Sequence, residues 1–138
     1  MIVEPFGLLK FDETAKEWVG YVDNISPGNK VELSISVVHI GQSLTQKIGL
    51  IKQMAADYEV IVAELYDLIY KKFRGTEYEV TRDAVGEMYY LSAVNLKEDN
   101  RTWWLVLEPC FSVDSIYNHF FRFTIQDGKI IWANFETE

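Results

Sequence analysis

The sequence predicts an α+β fold: a mainly antiparallel sheet of about six strands, three N-terminal and three C-terminal, with a central helical segment packed on one face. Three observations carry this. Lys30 to Val37 alternates strictly, with Val31, Leu33, Ile35 and Val37 against Lys30, Glu32, Ser34 and Ser36, the pattern of a strand with one buried and one wet face. Ile48, Ile51, Met54, Tyr58, Ile61, Leu65, Leu68 or Ile69, and Phe73 follow helical spacing. Asp127-Gly128 separates two apolar runs, a hairpin signal because both central residues of a type I′ turn need positive φ.

In chain order, Phe6 to Asp12 reads as a first strand and Glu17 to Asp23 as a second, with Trp18, Gly20 and Val22 on one face and Val19 and Tyr21 on the other. Asn24 to Asn29 is a turn cluster containing Pro27-Gly28. Ser43 and Gln46 fit an S-x-x-Q capping box opening the helical segment. One helix over 44–73 would be ~45 Å long at ~1.5 Å per residue, against a domain diameter of roughly 37 Å. A break is therefore expected near Ala55-Ala56-Asp57, with Asp57 capping the second segment and Gly75 ending it at C′. Thr81 to Glu87 reads as a short helix capped by Thr81. Tyr89 to Lys97 reads as a strand, with Tyr89, Leu91, Ala93 and Asn95 opposed to Tyr90, Ser92, Val94 and Leu96. The turn Glu98 to Arg101 makes it a hairpin with Thr102 to Leu107.

A two-residue turn fixes the register of the last hairpin. It pairs Gln126 with Lys129, Ile125 with Ile130, Phe123 with Trp132, Phe121 with Asn134 and His119 with Glu136 on the core face. The other face then carries Thr124 with Ile131, Arg122 with Ala133 and Phe120 with Phe135. That face is more apolar than solvent requires, so Phe120, Arg122, Ile131 and Phe135 are the candidate partner-binding residues.

The chain has 138 residues, 49% of them apolar and 14% aromatic, enough for a single domain, 1–138, with its own core. A net charge of −8 argues against nucleic acid or anionic membrane as partner and suits a basic protein. Cys110 is the only cysteine, which excludes an internal disulfide. The N-terminus lacks the basic start and apolar core of a signal peptide, and no apolar run approaches a bilayer span, so the cytoplasm is expected.

For chemistry, His119 opposite Glu136 is the sharpest pair, since a carboxylate beside an imidazole can orient it as a general base. The plainer reading is a histidine tied to a carboxylate for structural reasons, and no nucleophile motif stands beside it. A hydrolytic or ligand-binding alternative would place His119, Glu136, Glu108 and Asp114 around a pocket. A metal site would need His39 and His119 to converge with Glu108 or Asp114, and no helical H-x-x-x-H spacing supports one. Cys110 reads as a small buried residue. Ser112 and Ser115 lack a G-x-S-x-G elbow, and neither a P-loop nor G-x-G-x-x-G occurs. No cofactor or metal is expected.

Phe6-Gly7, Leu9 and Phe11-Asp12-Glu13, then Trp18, Gly20 and Val22, then Val31, Leu33 and Ile35 resemble the opening of small bacterial domains of unknown function, the related families DUF2262, DUF2004 and DUF6985. Asn118-His119, Phe121, Phe123 and Ile125, the turn Asp127-Gly128, and Ile130 to Phe135 are similar to their closing pattern. Asn118 departs from the usual glycine there, and the usual final glycine is replaced by Glu136 or a residue near it. The resemblance spans nearly the whole chain. It implies an α+β fold without an established catalytic activity, and by analogy with small acidic bacterial domains an immunity-like, toxin-neutralising role. The function expected is a non-catalytic protein-interaction module, binding another protein or a second copy of itself.

Overall fold

The computed structural model describes residues 1–110 and 119–137. The first strand expected from sequence is two elements instead. A small ribbon pairs β1 (Ile2–Val3) with β2 (Gly7–Leu8), and the main sheet begins only at β3 (Lys10–Asp12). Gly7 has φ of +94°, a conformation that interrupts an extended run and that glycine alone adopts without penalty.

β3 is followed by β4 (Glu17–Val22), β5 (Val31–Ser36), β6 (Tyr89–Leu96), β7 (Thr102–Pro109), β8 (His119–Gln126) and β9 (Lys129–Thr137). These seven strands lie in the sheet in chain order, antiparallel throughout except for the parallel β5–β6 contact. The C-terminal half supplies four strands, one more than expected. A parallel neighbour requires a crossover, and the helices provide it: α1 (Thr45–Ala56), α2 (Tyr58–Phe73) and α3 (Arg82–Met88).

The expected helix break falls at Asp57, the single residue between α1 and α2. Its carboxylate does not cap α2 but accepts a bond from Gln53 Nε2 at 3.1 Å. The capping box at Ser43 also fails to form. α1 starts at Thr45 with Leu44 as its uncapped N-cap, and Ser43 Oγ accepts instead from the Thr45 N–H at 3.3 Å. Gly75 occupies C′ with φ of +80°, and Thr81 Oγ1 accepts from the Ala84 N–H to cap α3.

Alternation sorts the sheet into two faces. Trp18, Val22, Val31, Leu33, Ile35, Leu91, Val94, Leu96, Leu105, Leu107, Phe121 and Phe123 join Ile51, Met54, Leu65, Ile69, Phe73 and Val85 of the helices in one contiguous core. Gly20 lies on this face, and the ribbon packs directly over it: a Cβ there would sit 2.5 Å from Leu8 O.

Two bulges alter the register read from sequence. On β6, Leu91 pairs with Leu107 and Ala93 with Val106, so Ser92 is the extra residue. Beyond it Val94 and Leu96 face the helices, while Ala93 and Asn95 move to the other side. On β9, Ile125 pairs with Ile130 but Thr124 with Trp132, so Ile131 is the extra residue. The expected pairs of Phe123 with Trp132 and Phe120 with Phe135 give way to Phe123 with Ala133 and Phe121 with Phe135. A one-residue slip exchanges the faces of a strand. Phe135 therefore joins the helix-side aromatics, with its ring 4.8 Å from Phe121 and 5.6 Å from Phe73. Among the described residues, no helix is long and apolar enough to cross a membrane.

Candidate functional site: the open face of the sheet

The side of the sheet opposite the helices is covered by no described element. The register places there the apolar or aromatic Val19 and Tyr21 of β4, Ala93 of β6, Trp104 and Val106 of β7, Phe120 of β8 and Trp132 of β9. With them lie the polar Lys10 and Asp12 of β3, Glu17 of β4, Glu32, Ser34 and Ser36 of β5, Asn95 of β6, Glu108 of β7, Arg122 and Thr124 of β8 and Asn134 of β9. None of the apolar members belongs to the core or packs against it. Trp104 is 37% exposed, Trp132 60% and the bulge residue Ile131 54%. Indoles uncovered to this degree, on a face several strands wide, form an apolar patch of the kind that marks recognition surfaces.

Trp104 is flanked by two cations. Lys97, just past β6, holds Nζ 3.3 Å from the ring centroid, and Arg122 of β8 holds Cζ at 4.8 Å. Both distances lie within cation–π range. Partial burial pushes the Lys97 amine below its ordinary value, and the charges of Glu17 and Glu98 act in the opposite sense.

Beside Lys97 sits a polar cluster. Asn95 is only 8% exposed. Its Nδ2 donates to Glu17 Oε2 at 3.1 Å, Ser34 O at 3.0 Å and Ser36 Oγ at 3.2 Å, and Ser36 Oγ donates to Glu17 Oε2 at 3.2 Å. Asn95 Oδ1 is buried and has no hydrogen-bond partner among the described residues. The result is an aromatic platform with cations against the Trp104 ring and the Glu17 carboxylate held in the polar cluster beside it.

The structure disperses the expected chemical site. Past the β9 bulge His119 pairs with Thr137, and Glu136 pairs with Phe120 rather than with His119. His119 lies on the helix side, its ring 5.0 Å from Phe135, with Tyr78 Oη 3.2 Å from Nε2. Glu108 lies on the open face, where its carboxylate accepts from Tyr90 Oη at 3.4 Å. Asp114, Ser112 and Ser115 fall outside the described residues. Cys110 anchors the end of β7, donating its N–H to Met88 O at 2.7 Å and its thiol to Glu87 O at 3.4 Å. Among the described residues, no three of His, Cys, Asp and Glu gather into a metal-binding group.

Of the four candidate binding residues, Phe120 and Arg122 lie on the open face and Ile131 on its exposed margin; Phe135 does not. Sequence reasoning missed Trp104 and Trp132. One signal for Trp104 was present: in the adjacent pair Trp103-Trp104, alternation must send one indole to each face whatever the register. Trp132 could be assigned only once the bulge at Ile131 was seen. Comparisons with protein-family models, with curated proteins and with solved structures return no match.

Proposed function

We propose that this chain is a cytosolic, non-catalytic protein-interaction module that binds a partner protein across the open face of its sheet. The observation that carries the reading is the exposed pair Trp104 and Trp132 on a face that no described helix covers. Tryptophan and arginine are the residues most enriched among those that dominate binding energy, and Arg122 stands against Trp104. The net charge of −8 favours encounter with a basic partner. The placement of His119 and Glu108 on opposite faces of the sheet supports binding over hydrolysis. Kinship with the small bacterial domains named above remains part of the proposal. So does a toxin-neutralising role, which would make the partner a secreted toxin encoded nearby.

The test is affinity capture from the native host with the wild-type chain and a Trp132→Asp variant, each checked for an unchanged thermal melt. A protein retained by the wild type and lost from the variant is the expected result. Equal retention by both would remove the open face from the account.

A further inference from the structure

On the opposite side of the sheet the helix break opens a cleft. α1 stops at Ala56 and α2 restarts at Tyr58, with Asp57 alone between them. A cavity of about 270 Å³ remains beneath the junction. Its floor is Trp103, Leu105, Ile125 and Ile130, and its apolar walls are Leu50, Met54 and Ile61. The polar side chains lining it are Gln53, Asp57 and Glu64, with no lysine, arginine or histidine among them. Asp57 and Glu64 are both exposed, and neither is in an ion pair among the described residues.

We infer that this cleft binds a small amphipathic cation, a molecule with an aliphatic or aromatic body and one ammonium group. The body replaces water against the seven apolar side chains, and the ammonium meets the carboxylates of Asp57 and Glu64. An apolar cavity of about 150 Å³ takes benzene, so this one suits a body of roughly ten non-hydrogen atoms by the same scaling. Charge selects within that size class. An anion of equal shape would bring a third negative charge to a mouth that holds two, in a chain whose net charge is −8. The inference does not rest on the open face. Trp103 and Trp104 are neighbours on β7, yet alternation puts one in the cleft and the other on the far side.

Octylammonium, 1-octanol and octanoate have closely matched chains and differ in charge. Each is titrated into 15N-labelled protein while the Trp103 indole and Gly128 amide signals are followed, with the Trp104 and Trp132 indoles as controls for the open face. Saturable shifts at Trp103 and Gly128 are expected, with octylammonium bound tightest and octanoate weakest, about tenfold apart. In an Asp57→Asn, Glu64→Gln double variant octylammonium should fall to the level of octanol, and octanol should be unchanged. Leu50→Trp, which fills the cleft, should abolish all three shifts; should it fail to fold, the carboxylate variant decides alone. No saturable shift at Trp103, shifts confined to Trp104 and Trp132, or equal affinity for the three probes would overturn the inference.

Discussion

Gly20 shows how much one missing atom contributes. It faces the ribbon, and an added Cβ would meet Leu8 O at 2.5 Å and Leu9 Cδ2 at 2.6 Å. The first contact is with backbone, so Gly20→Ala must displace the ribbon from the core and should cost about 1–3 kcal/mol in urea unfolding. Gly128 acts through conformation instead. Its φ of +77° follows Asp127 at +53°, the pair a type I′ turn requires, so Gly128→Val should cost ~1 kcal/mol or more. Two tyrosines packed into or against the core set an alkaline limit. Burial pushes Tyr66 up to about 12 and raises Tyr89 as well. A tyrosine raised in the folded state contributes its full stability below the ordinary value of 10.0 and loses it as pH climbs through the folded value. Lys47, lowered mainly by burial, works in the opposite sense up to 10.5. The tyrosine effect is therefore read above that pH, where urea midpoints should fall steadily and Tyr66→Phe should fall less.

At the scale of elements, turns and helices were largely legible and bulges were not. Turn residues act locally, and Asp99 shows the mechanism: its carboxylate accepts from the Arg101 and Thr102 N–H groups, both at 2.9 Å. Those bonds hold it below the usual carboxylate range despite some opposing burial. Nothing in the residues around Ser92 or Ile131 demands an extra residue; the partner strand's register does, and it is not local information. Each bulge reversed the faces beyond it, which is why Phe135 and Asn95 were misassigned while the alternation of β4 and β5 was read correctly. Lys47 was equally invisible, because a lysine at a helix position reads as solvated. It is 1% exposed and donates to Lys97 O at 3.1 Å, Glu98 O at 3.4 Å and Asn100 Oδ1 at 2.5 Å. It thus ties α1 to the β6–β7 turn beside the open face. Lys47→Met relieves the buried charge but removes all three bonds from α1 to the turn, leaving Lys97 O with the Asn100 N–H at 3.2 Å. The loss should prevail, with unfolding easier by about 1–3 kcal/mol.

For the whole molecule, the layering is what makes a binding surface. Among the described residues, three helices cover one side of a seven-stranded sheet and pack with it into one contiguous core, and the other side keeps its indoles in solvent. The α+β class followed from the alternation of β5, the helical spacing over 48–73 and the Asp127-Gly128 turn. Alternation also put Phe120 and Arg122 on the side away from the core. The breadth of that face did not follow, since it depends on all seven strands lying in chain order. If the acidic chain meets a basic partner there, association should slow as salt rises, with dissociation less affected. The most direct measurement is oxidative footprinting of the tryptophans in the purified, dilute protein and in the native host, with buried Trp18 as the internal reference. The account predicts that Trp104 and Trp132 react readily in isolation and become protected in the host. Equal reactivity of both residues in the two settings would contradict it.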